Sequence, residues 1–177
     1  GVALSPLELV RQAYRIEHDV LGEDVGIQDH LHAAFGGFSM YHLLGDKVQV
    51  EPIGLSGDLQ SQLNEELFLV YTGGSRHASA IAKTQVEGMK SKRNHSQLRE
   101  MVAMAHLGRD VLSSRKPPAD IMSELAVLLN ESWKLKMSLS GDISNDHVHG
   151  MYQKGLQLGA RAGKLCGAGG SGFLLFM

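Results

Sequence analysis

Residues 163–177 read GKLCGAGGSGFLLFM, a glycine-rich loop set between two short apolar stretches. The apolar stretches predict two β-strands, and the glycines predict the loop that joins them. Such a loop brings backbone N–H groups close to an anion, because glycine lacks a Cβ and tolerates positive φ. A glycine loop is also the usual form of a tight turn, so the residues alone leave both interpretations open.

A second glycine-bounded segment, residues 26–38, reads GIQDHLHAAFGGF. It predicts a short helix over 30–35 that Asp29 introduces and Gly36 and Gly37 end. Glu17 stands twelve residues before Asp29, near the end of the first predicted helix. Transfer of a phosphoryl group needs a carboxylate near the attacking oxygen and Mg²⁺ held in place, and these two acids have a suitable spacing. Taken singly, an Asp before a short helix is usually an N-cap and a Glu on a helix is usually a solvated surface residue, and only the combined pattern favours catalytic roles for Asp29 and Glu17.

The remaining pattern predicts an α+β fold, with helices on one face of a small antiparallel sheet. Ser5 and Glu8 form a capping box around Pro6, and the helix that follows is expected to continue to Leu21 and to stop at Gly22. The other predicted elements are strands over 38–44 and 47–51, a buried strand over 66–71 that follows a boundary at 52–58, helices over 77–92, 95–113 and 119–137, and a helix capped by Asn145.

Composition excludes several classes of protein. The 177 residues are 43% hydrophobic and 20% charged, with a net charge of −2, and no basic stripe with interleaved aromatics is present. Nucleic acid is therefore not an expected partner. No apolar run approaches the roughly 20 residues that span a bilayer, and no signal peptide is recognisable. The single cysteine fits a reducing compartment, so we expect a cytoplasmic protein.

In this order, and separated by an α/β stretch, the two glycine-bounded segments resemble those of the GHMP kinases, a superfamily that includes galactokinase, homoserine kinase, mevalonate kinase and phosphomevalonate kinase. The resemblance runs from Glu17 to Phe176. It implies a GHMP-kinase-like fold, in which residues 1–60 are the remnant of the N-terminal catalytic domain and residues 61–177 form the C-terminal domain, cut short at its end. It also implies phosphoryl transfer with ATP and Mg²⁺ as cofactors.

The resemblance assigns roles to individual residues. It implies that Asp29 is the catalytic carboxylate, which orients or deprotonates the acceptor hydroxyl, and that Glu17 is a Mg²⁺ ligand. The glycine loop would approach the cofactor and brace the phosphates through Gly167, Ala168, Gly169, Gly170 and Ser171. Substrate contacts would come from Gln28, Gly36, Gly37 and Arg76. The family's main nucleotide loop, a Gly- and Ser-rich segment that opens a helix, has no counterpart in this chain.

Within the superfamily, several short sequence motifs of this chain are similar to those of the D-glycero-D-manno-heptose 7-phosphate kinases and their fucokinase relatives. Those kinases phosphorylate the anomeric hydroxyl of a sugar. His30 and Leu31 depart from that branch, where a polar and an aromatic residue usually follow the Asp. The segments that carry the similarity are Gln28-Asp29 with 33–38, Tyr71-Thr72-Gly73-x-Ser75-Arg76, Trp133-x-x-Lys136 and Ile143-Ser144-Asn145.

The chemistry of several other side chains indicates whether they could bind a ligand. Arg76, Lys134 and Lys136 are candidate contacts for a sugar phosphate, since guanidinium and ammonium groups bind phosphate. The alternative for all three is an ordinary solvated surface charge, which we favour for the two lysines. Trp133 is expected in the core. The close histidine pairs lack the three or four convergent ligands of a zinc site, so we expect the histidines at surface or helix-terminal positions. Cys166 is expected to be a small buried hydrophobe.

The sequence leaves open whether the chain is part of a longer protein and which of three functions it has. It begins with glycine and ends on an apolar strand, which we interpret as a fragment of a longer chain. The leading hypothesis is part of a sugar 1-kinase that acts on a heptose 7-phosphate, with fucose or another sugar as the alternative. A non-catalytic module that binds a sugar phosphate or a partner chain is the second hypothesis. An inactive polypeptide that self-associates through its exposed strand is the third, and a homo-oligomer remains compatible with all of them.

Overall fold

The computed structural model describes residues 4–23, 25–45, 47–73 and 94–177. The chain divides into two compact units, Gly1–Gly54 and Leu55–Met177. The predicted helix over 77–92 and the candidate residue Arg76 lie outside the described residues. The assignment of domains to residues 1–60 and 61–177 stays a prediction.

The first unit opens with helix α1, Pro6–Arg15, and the predicted capping box is present. The Ser5 N–H donates to Glu8 Oε2 at 2.7 Å, and the Glu8 N–H donates back to Ser5 Oγ. The expectation that one α-helix runs on to Leu21 was wrong, because the last turn is a π-helix, Ile16–Val20. There the Leu21 N–H donates to the Ile16 carbonyl, five residues back, at 3.0 Å.

The rest of this unit is helix α2, Gln28–Phe35, and an antiparallel hairpin of strands β1, Ser39–Leu44, and β2, Lys47–Pro52. Helix α1 packs against α2. Val10 of α1 and Leu31 of α2 are its fully buried apolar side chains among the described residues. Their burial fixes the faces that the two helices turn inward.

The second unit has a three-stranded antiparallel sheet in the order β3-β5-β4, in agreement with the predicted fold class. Its elements in chain order are α3 (Gly57–Glu66), β3 (Phe68–Tyr71), α4 (His95–Leu112), α5 (Pro118–Met137), a 3₁₀ turn (Gly141–Ile143), α6 (Asp146–Gln157), β4 (Gly163–Leu165) and β5 (Phe173–Phe176). Asn145 caps α6 as predicted, with its Oδ1 accepting from the Val148 N–H at 3.0 Å.

Two expectations about the start of this unit were wrong. Residues 57–66 form α3, capped by Ser56, whereas the sequence predicted a boundary that ends at 58, a strand that begins at 66 and no element over 59–65. Strand β3 is an edge strand rather than a buried one, and its Phe68, Leu69 and Tyr71 are each more than half exposed. An apolar run cannot by itself distinguish a central strand from an edge strand.

Two apolar clusters form the core of the second unit. The first gathers around the buried Trp133, which confirms that this residue belongs to the core, and the second joins α3 to α5. Their buried members are Trp133, Ile143, Val148, Tyr152, Leu165, Leu174 and Phe176 in the first, and Leu59, Ile121, Met122, Ala126, Ala162 and Met177 in the second.

Candidate functional site

Asp29 is the second residue of α2, inside its first turn, with an exposed side chain. The residue at the N-cap position is Ile27, and no side chain caps this helix. Within the described ranges, the Asp29 carboxylate has no hydrogen bond or ion pair. The cap interpretation therefore fails, and the carboxylate is left free to meet a ligand near the positive end of the helix dipole.

Glu17 lies in the π-helix, and its Oε2 is 3.3 Å from Nε2 of His30, the residue after Asp29. That separation is within ion-pair range, but neither ring nitrogen of His30 makes an aligned hydrogen bond to a described residue. The structure thus brings the end of the first helix against the start of α2. π-Helical turns are often found at functional sites because they displace side chains from the regular helical face.

The burial of His30 is the feature of this region that the sequence did not predict. Its side chain is only 10% exposed, and its ring meets the edge of Tyr14 at a centroid distance of 6.4 Å. His30 lies in the first turn of α2, one of the positions expected for a histidine, but its burial was not expected and arises because α1 packs over this face of α2. The spacing of apolar residues in so short a helix does not predict that contact.

The other substrate candidates of this unit lie on the surface. Gln28 is the first residue of α2, and Gly36 and Gly37 follow its end with φ of 63° and 67°. Those left-handed conformations explain why glycine ends the helix. A Cβ at either glycine would meet nothing within 4 Å, so open space surrounds this turn.

In the second unit, the glycine loop is folded tightly against the 3₁₀ turn. Gly169 has a φ of 126°, and a Cβ there would lie 2.9 Å from the backbone of Ile143, so the position accepts glycine alone. The Gly170 N–H donates to the Ile143 carbonyl at 2.9 Å, and Asn145 Nδ2 donates to the Gly170 carbonyl at 2.7 Å. The N–H of Gly170 is therefore used in a hydrogen bond within the protein and does not point to an anion.

Thr72 ties the other end of the loop to the sheet. Its Oγ1 donates to the Gly172 carbonyl and accepts from the Gly172 N–H, both at 3.0 Å. His147 Nε2 lies 2.7 Å from the Thr72 carbonyl, and because a carbonyl only accepts, that nitrogen carries the proton. Thr72 is 2% exposed. Sequence reasoning missed both Thr72 and His147 as loop supports, since their contacts join segments distant in the chain.

Lys136 reaches the loop from the end of α5, and its ammonium donates to the Gly167 carbonyl. Burial, and next the neighbouring charge of Lys164, lower the pKa of Lys136 to about 8. Burial also lowers the pKa of Lys164, which lies in β4. Cys166 stands between β4 and the loop and is partly exposed, which differs from the buried position expected for it. Lys134, in contrast, is exposed and pairs with Glu131 at 2.7 Å.

Two buried polar atoms near these residues lack a partner among the described residues, namely Ser144 Oγ and Trp133 Nε1. Ser144 lies between Ile143 and Asn145, which both hold the loop. Sequence spacing placed Ser144 in a motif but gave no reason to expect an unsatisfied hydroxyl.

The carboxylates of Glu17 and Asp29 are oxygen donors, and oxygen donors suit a hard cation such as Mg²⁺. In the described part of the chain, no three His, Cys, Asp or Glu side chains converge as a metal centre would require. Mg²⁺ is commonly held by one or two carboxylates, with water and the oxygens of its ligand completing its shell, so the assignment of Glu17 as a Mg²⁺ ligand stays a prediction. Among the described residues, no helix is long and apolar enough to cross a membrane.

Comparison with known proteins identifies relatives over nearly the whole chain. A D-glycero-α-D-manno-heptose 7-phosphate kinase of Campylobacter jejuni is 32% identical, over 99% of this chain and 51% of its own length. A bifunctional fucokinase/GDP-fucose pyrophosphorylase of Arabidopsis thaliana is 26% identical, over 96% of this chain and 16% of its own length. A crystal structure of a D-glycero-D-manno-heptose 1-phosphate kinase from Bacteroides thetaiotaomicron superposes with a TM-score of 0.66 and 26% identity, covering 99% of this chain and 45% of that one.

The fold is that of the GHMP kinases, as the sequence predicted. The relatives and structural neighbours of this chain are heptose-phosphate kinases, fucokinase, mevalonate kinase and galactokinase, all members of that superfamily. No protein-family model matches the chain. The chain spans about half the length of the heptose-phosphate kinases that it matches.

Proposed function

We propose that this chain is part of an ATP- and Mg²⁺-dependent sugar kinase that phosphorylates the anomeric hydroxyl of a sugar phosphate, with D-glycero-D-manno-heptose 7-phosphate as the acceptor. The observation that carries the proposal is the free carboxylate of Asp29 in the first turn of α2, with Glu17 held against the next residue at 3.3 Å. The names of the relatives support the substrate class. A cytoplasmic location suits a chain with a single cysteine.

In the proposed reaction, the acceptor hydroxyl is placed against Asp29. Its oxygen forms a bond to the γ-phosphorus of ATP as the bond to the β,γ-bridging oxygen breaks, and Asp29 orients the hydroxyl or takes its proton. Mg²⁺, when bound, neutralises charge on the phosphates, and Glu17 would be its protein ligand in this chain. The glycine loop, with its residues 167–171, would brace the phosphates, while Gln28, Gly36, Gly37 and Arg76 are proposed to contact the sugar.

The test is an acceptor assay on the complete gene product. The protein is incubated with MgATP and a panel of sugars that includes D-glycero-D-manno-heptose 7-phosphate, and ³¹P NMR follows the appearance of an anomeric phosphate. Asp29→Asn should lower kcat by roughly 10²–10⁴-fold, because a positioned base contributes about that much. Binding of MgATP should change little, since Asp29 acts on the acceptor.

Asp58→Asn is a matched control. Asp58 is also exposed and is also the second residue of its helix, α3. It should leave turnover unchanged. If Asp29→Asn turns over as fast as the wild type, the proposed mechanism is wrong.

A second candidate acceptor is fucose, which the resemblance to the Arabidopsis protein favours. The same acceptor panel distinguishes the two, because phosphate would then appear on fucose and not on the heptose. Sugar-phosphate binding with no binding of MgATP would instead favour a non-catalytic module.

A further inference from the structure

Two lysines beside the glycine loop are partly buried without a carboxylate to neutralise them. Lys136 is near the end of α5, and Lys164 is the middle residue of β4. Within the ranges that the structure describes, no carboxylate lies at ion-pair distance from either ammonium. Each charge is partly removed from water, and Lys164 repels Lys136.

The fold holds these two cations at fixed positions. Helix α5 packs along β4, where Asn130 Oδ1 accepts from the Gly163 N–H at 3.3 Å. Farther along the same helix, the Lys136 ammonium donates to the Gly167 carbonyl, which follows β4. The two lysines therefore approach the same end of the glycine loop from a helix and from a strand.

The contacts made inside the protein do not satisfy these charges. An ammonium has three N–H donors, and the Gly167 carbonyl occupies one of those of Lys136 without bringing a negative charge. The thiol of Cys166 favours the charged form of both lysines, but the balance of burial and repulsion lowers both pKa values. A group with a full negative charge between the two ammoniums would remove the repulsion and form charge-assisted hydrogen bonds.

We propose that Lys136 and Lys164 bind a phosphoryl group at the edge of the glycine loop. The proposal rests on the proposed function in one respect, because it takes the phosphoryl group to belong to a substrate of the kinase. The shared chemistry is a phosphate monoester or anhydride, which either the sugar phosphate or the nucleotide supplies. Gly167 turns the chain beside the two lysines with a φ of 70°, and a Cβ there would meet nothing within 4 Å, so the turn is open to a ligand.

The first experiment measures binding of inorganic phosphate to the complete gene product by titration calorimetry. Lys136→Met and Lys164→Met should each raise the Kd at least about tenfold, because each removes a charged hydrogen-bond partner. Lys154→Met is the matched control. Lys154 is an exposed lysine of α6, and its replacement should leave the Kd within about twofold. Lys136→Arg keeps the charge and should bind more tightly than Lys136→Met.

Steady-state kinetics then identify the source of the phosphoryl group. A higher KM for ATP in the two Met variants, with the KM for the sugar unchanged, assigns the site to the nucleotide, and the reverse assigns it to the sugar phosphate. Phosphate binding that is the same in both Met variants as in the wild type overturns the proposal, whatever the activity. Phosphate binding that depends on the lysines, in a protein that phosphorylates no sugar, keeps the site and refutes the kinase.

A measurement on the wild type tests the proposal even if the substituted proteins fail to fold. In protein with ¹³C-labelled lysine, added phosphate should shift the Cε resonances of Lys136 and Lys164 and leave that of Lys154 unmoved. Resonances of Lys136 and Lys164 that stay fixed at saturating phosphate would also overturn the proposal.

Discussion

One substitution, Gly→Ala, should have opposite effects on stability at two positions of the same helix. Gly155 of α6 lies against the ring of Phe176, and a Cβ there would overlap the ring carbons Cε1 and Cζ. A Cβ at Gly150, earlier in the helix, would meet nothing within 4 Å. The Phe176 ring cannot simply move aside, because it is 2% exposed and stacks on Phe68 and Tyr152 at centroid distances of 5.6 and 6.3 Å.

The magnitudes follow from two terms. Replacing glycine by alanine inside a helix favours folding by roughly 0.5–1 kcal/mol, because alanine loses less backbone entropy. At Gly150 this term stands alone, so Gly150→Ala should stabilise the protein by that amount. At Gly155 the added methyl overpacks the core, which typically costs about 1–3 kcal/mol. The helix term is common to both variants, so the difference in their free energies of unfolding isolates the overlap at about 1–3 kcal/mol.

The assay is urea denaturation followed by the fluorescence of Trp133, which is 1% exposed and belongs to the same core cluster as Phe176. Thermal melts should give a matching difference of about 2–4 °C per kcal/mol for a chain of this size. In a double-mutant cycle, Phe176→Leu should cost less in the Gly155→Ala background than in the wild type, since it relieves the overlap. Equal stability of Gly150→Ala and Gly155→Ala would refute this account of the packing.

Further predictions concern the first helix, the loop support and the buried lysine. Ser5→Ala should destabilise α1 by about 1 kcal/mol, seen as faster amide exchange in its first turn; exchange at the wild-type rate would show that the capping box contributes nothing. Thr72→Val removes the hydroxyl that accepts from the Gly172 N–H and leaves that N–H unpaired, while the Gly172 carbonyl keeps its bond from the Thr72 N–H. Urea denaturation should therefore show a loss of about 1–3 kcal/mol, and Thr72→Ser should restore most of it. The lowered pKa of Lys136 means that the unfolded chain binds more protons than the folded one between pH of about 8 and the ordinary lysine value of 10.5. The free energy of unfolding should therefore rise with pH over that window, and Lys136→Met should flatten the rise; an unchanged slope in the variant would contradict it.

Local patterns in the sequence predicted local structure well. The capping box at Ser5 and the N-cap at Asn145 are both present, because each depends on residues within one helical turn. The glycine loop and the strands on either side of it were also predicted, since glycines between apolar stretches permit few alternatives. The general class of fold followed from the order of these elements.

What the sequence did not predict depends on tertiary contacts. Helix α3 was missed because its apolar positions, such as Leu59, face a partner helix that lies far along the chain. The burial of His30 and the support of the loop by Thr72 arise from packing between segments that no local spacing connects. Lys136 was predicted only as a surface charge or a phosphate contact, and its partly buried neighbour Lys164 was not considered, because no local sequence pattern indicates that a lysine on a strand is covered.

The glycine loop combines a rigid backbone with unsatisfied charge, and that combination favours a ligand site over a simple turn. A turn needs no support from distant residues, yet this loop is fixed by side chains from Thr72 after β3, from α5 and from the cap of α6. Gly169 is also confined to glycine by the backbone of Ile143. A fold that needed only to reverse direction here would gain stability by replacing the partly buried Lys136 with an apolar residue, since its charge opposes folding at neutral pH. A positive charge beside a loop held in one conformation is what binding a phosphoryl group requires, because the donors must be in place before the anion arrives.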